Sequence, residues 1–548
     1  MRKIMLALFL IVIITIMGCG NGDNGGNGGK GGKGGKGNNQ ANNASASAEP
    51  STASAAASEA PSAANASNPQ ELIVAGPDIA ASLDPVQPLT SSYLRLIGAG
   101  EALFKVNAEG EVEPELAEGA TETDATTWEI KLKEGIRFWS GEPIDADAVI
   151  ASLERSRKLD VQALPFLDDL RLSKIDDRTI RVQTTREHLP VPLNLSYYQT
   201  IIHNAEAKQD SVETMDLSGM YKVVEFVPKQ KLVLEANDNY WGEKSGIQRI
   251  VFEEIKDEQT RVLSSLSGRS HVVLNVPVTS LAQFGGNPDV ELVSAPAANT
   301  QTVYLNLRQP QLSDVKVRQA LSWGLNREEL ITLAAEGQGE PVATWLSSNP
   351  AYAEARNAVY DKFDRDRAAK LLEEAGWSLG KDGIRYKDGK PLVLRLMTWG
   401  GDKALGEALQ NQWTQLGVKA EVQHGDYSLI ETARESGNWD AVIEAWSTFG
   451  DEFALLSGQY SPEGSANYGG YNDERTNELL AELEQASDAK MRHELALRIN
   501  ERVAEQAPVL SLFPRPQITA VSKSLQGLAP HFRQFENVVS AKLAWASN

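Results

Sequence analysis

The sequence predicts a mixed α/β fold of at least two lobes, with a targeting segment and a linker in front of it. The chain has 548 residues, and a single hydrophobic core stops growing at roughly 250 to 300 residues, so more than one lobe is expected. Strand-like and helix-like patterns follow one another from residue 71 onward. Hydrophobic residues make up 41% and charged residues 23%, which is the usage of a water-soluble globular protein.

The net charge and the number of cysteines exclude several kinds of partner and site. A formal net charge of -21 argues against a nucleic-acid partner, because binding to phosphates needs a basic surface. Cys19 is the single cysteine of the chain. An internal disulfide and a thiolate metal cluster are therefore excluded.

The first residues have the pattern of a bacterial secretion signal. Arg2 and Lys3 precede an apolar run at residues 4–17, which is shorter than the roughly 20 residues that span a bilayer. The Gly18-Cys19 pair that follows resembles the bacterial lipobox, whose cysteine is acylated after cleavage. We therefore expect a signal peptide at residues 1–18 and a lipid anchor on Cys19, which two acyl chains would make stable.

Residues 19–70 are expected to form a flexible linker behind that anchor. They are rich in Gly with isolated Lys, and then in Ala, Ser and Asn. Such a composition cannot bury enough apolar area to offset the entropy of ordering. A coil of this kind spans roughly 35 to 45 Å, which would let the folded part float above a membrane.

The first elements after residue 71 mix strands and helices. Residues 72–75 are typical of a buried strand, and residues 128–132 alternate as half-buried strands do. The apolar spacing of residues 145–155 predicts a helix, with Asp145 as its N-cap. Further helices are predicted at residues 315–321, 365–375, 403–416 and 474–507, and strands at residues 391–397 and 418–423.

Several ordered motifs resemble those of one known family. They comprise residues 102–118, residues 128–149 (WEIKLKEGIRFWSGEPIDADAV), residues 304–307 with 314–321 (DVKVRQAL), residues 375–392 (AGW, DG and GKPL) and residues 467–471. Each motif alone has little specificity, but their number and order resemble the family-5 extracellular solute-binding proteins of ABC importers.

That resemblance implies a periplasmic-binding-protein-like fold of type II. Two α/β lobes are joined by two crossing strands, and an extra subdomain is inserted in the first lobe. On this basis lobe I comprises residues 71–90, 215–300 and 515–548, the inserted subdomain residues 91–214, and lobe II residues 301–514. The ligand is expected between the lobes.

The resemblance also implies a binding function without chemistry. The protein would capture a solute outside the cytoplasmic membrane as a monomer and deliver it to permease subunits with cytoplasmic ATPases. No cofactor is implied. Motifs of zinc proteases, nucleophile elbows, phosphate-binding loops and dinucleotide sites are absent from the sequence. An extracytoplasmic hydrolase remains an alternative, which turnover of a ligand would distinguish.

The ligand class is predicted from one strand and the loop after it. In peptide-binding members of the family, an acidic residue three positions after a Trp holds the peptide's amino terminus. The corresponding Trp446 is followed at that spacing by Phe449, and an acid appears at Asp451. Asp451 is therefore the candidate anchor for an ammonium group, beside Trp446 and Phe449.

Nickel-complex binders of the family use an arginine in a segment that resembles residues 192–204. This segment has no arginine but contains Tyr197 and Tyr198, which are candidate stacking surfaces or ordinary strand aromatics. Trp399 and Tyr427 are further candidates for an aromatic wall. The sequence favours a peptide or peptide-like solute, with a nickel or metallophore complex as the alternative and no metal site of the protein's own.

Overall fold

The computed structural model describes residues 71–342, 344–357, 363–529, 531–533, 536 and 539–546. Cys19 and the linker predicted at residues 19–70 lie outside the described residues. Among the described residues, none of the helices combines the length and the apolar character needed to cross a bilayer.

The strands and helices follow one another along the whole described chain. The strands are β1 Glu71–Gly76, β2 Phe104–Val106, β3 Val112–Pro114, β4 Ala117–Asp124, β5 Thr127–Leu132, β6 Leu170–Asp176, β7 Thr179–Thr184, β8 Tyr221–Val227, β9 Lys231–Ala236, β10 Arg249–Glu254, β11 Val272–Val273, β12 Val290–Leu305, β13 Ser378–Leu379, β14 Arg385–Lys387, β15 Lys390–Pro391, β16 Val393–Trp399, β17 Lys419–Gly425, β18 Ala441–Ser447, β19 Val509–Ser522, β20 Leu525–Gln526 and β21 Ala544–Trp545. The helices are α1 Thr90–Leu96, α2 Ala146–Leu159, α3 Leu164–Leu167, α4 Val191–Asn194, α5 Glu258–Leu266, α6 Val315–Trp323, α7 Arg327–Ala335, α8 Arg365–Glu374, α9 Lys403–Thr414, α10 Tyr427–Ser436, α11 Glu452–Tyr460, α12 Glu474–Gln485 and α13 Ala489–Gln506.

One ten-stranded sheet runs through both lobes, in the order β17-β16-β18-β12-β19-β11-β1-β10-β9-β8. In lobe I, β1 lies parallel to β10 and β11. In lobe II, β16 lies parallel to β17 and β18. The central parallel strands are almost wholly apolar, as strands covered on both faces are.

The long strands β12 and β19 connect the lobes. They pair antiparallel from Val290 with Ser522 to Tyr304 with Val509, and their register shifts between Pro296 and Thr300. The lobe II end of β12 pairs with β18, and the lobe I end of β19 pairs with β11. The two crossing strands that the family resemblance implied are thus present, with an irregularity at their middle that marks the boundary between the lobes.

Lobe II is a sheet covered on both faces by helices. Helices α6 to α9 cover one face and α10 to α13 cover the other. The single helix predicted at residues 474–507 is wrong, because α12 ends at Gln485 and α13 begins at Ala489. Asp488 caps the second helix by accepting a hydrogen bond from the Met491 backbone amide, a local cap that competes with continuing the first helix.

The inserted subdomain has a core of its own around the sheet β4-β5-β7-β6 and helix α2. The predicted strand at residues 128–132 lies within β5, and the predicted helix after Asp145 is α2. The Asp145 carboxylate accepts a hydrogen bond from the Ala148 amide, which confirms the predicted N-cap. Segments of this subdomain after β7 extend toward lobe II.

Candidate functional site

The inserted subdomain and lobe II meet at two aromatic residues. Tyr197 follows α4, and Phe449 lies in the loop from β18 to α11. Their ring centroids are 5.8 Å apart, and the Tyr197 hydroxyl donates a 2.8 Å hydrogen bond to the Phe449 carbonyl. Phe166 of the inserted subdomain stacks on the other side of Tyr197 at 3.9 Å. Aromatic surfaces of the inserted subdomain and lobe II therefore pack against each other here.

The loop that carries Phe449 approaches the inserted subdomain so closely that it needs a glycine. Gly450 has a φ of 153°, and a methyl group added there would lie 3.2 Å from the Tyr197 hydroxyl and 3.3 Å from Leu455. A larger residue would therefore push the loop away from Tyr197 or strain its backbone.

An arginine from the C-terminal segment contacts both rings. The Arg533 guanidinium carbon is 4.4 Å from the ring centroid of Tyr197 and 4.4 Å from that of Phe449. Phe532 packs beside Phe449, with 5.6 Å between the ring centroids. Such contacts of a cation with aromatic faces are favourable, and more so when shielded from water. Three separate parts of the fold thus converge on one point.

A buried ionic network lies behind Arg533. Its Nη1 is 2.8 Å from a carboxylate oxygen of Glu536, and Arg95 contacts the same carboxylate at 3.2 Å. Arg95 also pairs with Glu115 at 2.6 Å. Burial by itself would raise the pKa of Glu536, but Arg533 and Arg95 hold that pKa below its ordinary value. Glu536 is therefore ionised and shared between two arginines.

A second buried carboxylate beside this network behaves differently. Glu101 accepts hydrogen bonds from the Tyr240 hydroxyl at 2.6 Å and from the Trp241 indole at 3.1 Å. Burial and the nearby charge of Glu115 raise the pKa of Glu101 to about 7, against the lowering effect of these donors. Glu101 is thus the group in this region that can change its charge near neutral pH.

Asp451 already has partners within the protein. It is 7% exposed, its carboxylate lies 2.6 Å from Nη2 of Arg492, and it caps α11 through the Ala454 amide. Arg186 of the inserted subdomain approaches it at 3.6 Å. Burial raises the pKa of Asp451, and the two arginines counteract part of that increase. The carboxylate proposed as an ammonium anchor therefore belongs to an ion-pair network between the lobes.

A small cavity of about 140 Å³ lies beside this ion pair. Its walls include Arg186, Glu187, Asp451, Glu484 and Arg492. It is too small for a peptide, since sites for drug-sized ligands measure roughly 300 to 1,000 Å³. This cavity therefore has room only for small groups beside the ion pair.

The other aromatic candidates lie on one face of the lobe II sheet. Trp399 contacts Tyr427 edge to face at 5.0 Å, and Trp446 lies 5.4 Å from Tyr304. The indole nitrogens of Trp399 and Trp446 are buried without a hydrogen-bond partner among the described residues. Tyr427 lies near the buried carboxylate of Glu444. These residues form a separate aromatic group from Tyr197 and Phe449.

Tyr198 is separated from its neighbour Tyr197. It begins a short 3-10 turn, Tyr198–Thr200, and packs against the core of lobe I. The alternative that both tyrosines are ordinary strand aromatics is wrong, because the segment forms α4 and this turn. Asp451 and Phe449 are thus near Tyr197, whereas Tyr198 faces another part of the protein.

Sequence motifs do not indicate Arg533, which lies more than 80 residues from every other site candidate. Its position is set by the way the C-terminal segment folds back, and the local sequence His531-Phe532-Arg533 has no recognisable pattern. Among the described residues, no three His, Cys, Asp or Glu side chains are placed to hold a metal ion together.

Comparison with known proteins identifies the family. The sequence model described as "Bacterial extracellular solute-binding proteins, family 5 Middle" matches residues 111–467, which is more than half of the chain. The chain belongs to this family. It is a substrate-binding subunit of an ABC importer, and the two-lobed fold agrees with that membership.

Relatives of this family-5 protein bind different solutes. It is 28% identical to the nickel-binding periplasmic protein of Escherichia coli, over 72% of this chain and 79% of the relative. It is 24% identical to the oligopeptide-binding protein AppA of Bacillus subtilis, over 78% and 83% of the two chains. A crystal structure of a nickel ABC transporter protein from Bacillus halodurans matches with a TM-score of 0.76 at 24% identity, covering 86% of this chain and 99% of that one.

Proposed function

We propose that this family-5 protein captures a peptide or peptide-like solute between its lobes. The observation that carries the proposal is the closed aromatic junction, where Tyr197, Phe449 and Arg533 meet from three parts of the fold. Aromatic walls supply contact area at a low cost in side-chain entropy, which suits solutes of varied side chains. The similarity to the oligopeptide-binding protein AppA supports the same class.

Capture would proceed without chemistry. The solute binds the open form, and its extra contacts in the closed form shift the population toward the shape that a permease recognises. Phe449 would line the lobe II wall of the opened cleft and Tyr197 the opposite wall, while Trp446, Trp399 and Tyr427 would support the lobe II wall from its core. Tyr198 and Asp451 would affect solute binding without contacting the solute. Tyr198 would do so by packing on the lobe I core, and Asp451 by its ion pair with Arg492.

We also propose that the protein is located at the outer face of the cytoplasmic membrane. Acylated Cys19 would anchor it, and residues 20–70 would connect the anchor to the lobes. The protein would work as a monomer that contacts its permease subunits, whose ATPases lie on the cytoplasmic side. The support for the anchor is the Gly18-Cys19 pair directly after a short apolar run.

A metal complex with a carboxylate chelator is the second candidate. The similarity to nickel-binding relatives favours it. Arg533 also favours it, because this arginine lies against Tyr197 and so supplies a cation that the sequence of residues 192–204 lacks. In this case the solute would bring its own ligands for the metal.

The experiment that tests the proposal is native mass spectrometry of the protein isolated from its own cells, followed by thermal unfolding with the released solute. A peptide that is retained and raises the melting temperature on re-addition supports the proposal, by linkage of binding to folding. A retained metal chelate would favour the second candidate. Multiple turnover of the retained solute would instead identify an extracytoplasmic hydrolase.

A further inference from the structure

We propose that the ion pair between Arg186 and Asp451 holds part of the solute-free protein in a closed form, so that ionic strength sets how often the cleft opens for capture. The inference rests on the opening and closing of the lobes in the proposed function and not on the class of solute. It concerns two charged residues on opposite sides of the junction between the inserted subdomain and lobe II.

The two residues of this interlobe ion pair belong to different parts of the fold. Arg186 follows β7 of the inserted subdomain, and Asp451 precedes α11 of lobe II. A distance of 3.6 Å separates Nη1 of Arg186 from Oδ2 of Asp451. An ion pair forms at this distance, but a charge-assisted hydrogen bond is shorter, at roughly 2.7 to 2.9 Å. The attraction is therefore weak enough to form and break during a reversible movement.

Each of the two side chains is held in place by a partner on its own side of the junction. Nε of Arg186 lies 3.1 Å from a carboxylate oxygen of Asp169 in the inserted subdomain. The Asp451 carboxylate lies 2.6 Å from Nη2 of Arg492 on α13 of lobe II. Both charges are thus in position before they meet, and closing the cleft orders few additional side-chain torsions.

Opening of the cleft leaves neither charge without a partner. Removing the sole partner of a buried charge is strongly unfavourable. The Asp451 side chain is only 6% exposed, but it keeps Arg492 when the lobes separate. The Arg186 side chain is 37% exposed, and it keeps Asp169 and gains water. The interlobe ion pair therefore favours the closed form without preventing opening.

Dissolved salt reaches the interlobe ion pair from the side of Arg186. The cavity of about 140 Å³ that both residues line has room for several water molecules. The Debye length falls from roughly 10 Å at 0.1 M salt to roughly 3 Å at 1 M, and a partly exposed pair is screened accordingly. The attraction between the two sides should therefore weaken as the salt concentration rises.

The test measures the distance between the two sides in the absence of solute. Spin labels are attached in the variant L159C/M491C of the full chain, which also carries C19S. Leu159 ends α2 of the inserted subdomain, Met491 lies on α13 of lobe II, and both side chains are exposed. Native mass spectrometry first verifies that the sample is free of solute. Double electron–electron resonance then gives the ratio of the closed form to the open form.

We expect this ratio to respond to salt and to Arg186. It should fall about two- to fivefold between about 0.1 M and 1 M KCl, the range expected for an ion pair with partial exposure. R186Q should show the low ratio already at the lower salt concentration and respond little to more salt. R181Q is the matched control, because Arg181 pairs with Glu129 at 3.1 Å within the inserted subdomain. It should match the wild type at both salt concentrations.

R186E gives a result that a general loss of stability cannot imitate. It reverses the charge that faces Asp451, at a cavity that Glu187 and Glu484 also line. The closed fraction should be smaller than in R186Q, and it should rise with salt, because screening weakens a repulsion. Circular dichroism confirms that the variants compared are folded.

The outcomes separate this inference from the proposed function. The same ratio in the wild type, R186Q and R186E overturns the role of Arg186, and so does a salt response that R186Q keeps in full. Neither result bears on the class of solute, because no solute is present. Conversely, a metal chelate retained from cells would contradict peptide capture, and the salt response lost in R186Q would still support the interlobe ion pair.

Discussion

The Tyr197 hydroxyl donates a 2.8 Å hydrogen bond to the carbonyl of Phe449, a residue 252 positions further along the chain. This bond joins the segment after α4 to the loop after β18, and on the proposed mechanism it would break when the cleft opens. It is therefore a contact through which closure can be measured.

Replacing Tyr197 with Phe should weaken solute binding without changing the fold. The variant loses one hydrogen bond of about 1 kcal/mol in the closed form, which corresponds to roughly a fivefold higher Kd. Calorimetry with the solute retained from cells measures the change. Y386F is the control, because the Tyr386 hydroxyl donates to Asp382 on an exposed sheet of lobe II. Equal affinity of Y197F and wild type would show that this bond does not contribute to closure.

Replacing Gly450 with Ala should favour the open form. A methyl group there would lie 3.2 Å from the Tyr197 hydroxyl, so the loop must retreat from the inserted subdomain. We expect a larger radius of gyration in small-angle X-ray scattering. G437A is the control, because Gly437 also has a positive φ of 67° but no atom within 4 Å of the added methyl. Its cost is backbone strain of roughly 1 kcal/mol, and its scattering should match the wild type.

Replacing Asp451 with Ala should destabilise the protein in the absence of solute. The change leaves the buried Arg492 without its 2.6 Å partner, and breaking a buried pair costs about 3–5 kcal/mol of unfolding free energy. Urea unfolding measures this loss of stability, with D382A in the exposed turn between β13 and β14 as a control that should cost under about 1 kcal/mol. If Asp451 instead held a solute ammonium, stability would change little and binding would weaken by about 1.5 to 3 kcal/mol.

The free energy of unfolding should fall as the pH rises from about 4.5 to 7, because Glu101 loses its proton over this range. Its pKa is raised to about 7 in the folded protein, so the folded state holds a proton that the unfolded chain releases at lower pH. The stabilising contribution is complete below the unfolded pKa of about 4.3 and is lost as pH rises toward 7. In E101Q, the free energy of unfolding measured in urea should change less with pH over this range. E118Q, a change at an exposed site, should keep the pH dependence of the wild type.

Replacing Cys19 with Ala should release the protein from the membrane. The variant lacks the thiol that would carry the acyl chains, so fractionation should find it in the medium or the periplasm, without label from radioactive palmitate. C19S would serve as a second variant with the same expected result. Retention of either variant in the membrane fraction would contradict the lipid anchor.

Local sequence signals predicted much of the secondary structure. Asp145 was recognised as a cap because an aspartate before an apolar helical repeat accepts from the first free amides. The helix predicted at residues 403–416 is α9, which ends at Thr414, and Gly417 lies in the turn after it with a φ of 83° that suits glycine. Asp488 carries the same kind of signal, but it lies inside a long helical repeat that predicts one continuous helix.

The site could be predicted only in part, because its contacts join distant segments. Phe449 and Asp451 were found from their spacing after Trp446. The partner of Asp451 is Arg492, 41 residues away, and no local pattern indicates whether an acid is paired. Arg533 comes from the C-terminal segment and reaches Tyr197 only after the chain has crossed between the lobes. Spacing rules identify residues that are close along the chain, whereas the residues of this site are distant in sequence and close only in the folded protein.

Strands β12 and β19 also limit how the protein can be divided. Each strand contributes to the sheet of both lobes, so a cut at residue 300 would pass through a continuous hydrogen-bonded ladder. A lobe expressed alone would expose the broken edge of that sheet and would be prone to aggregate. A sensor built from this protein should therefore carry its reporter groups on surface loops of the two lobes and leave both strands intact.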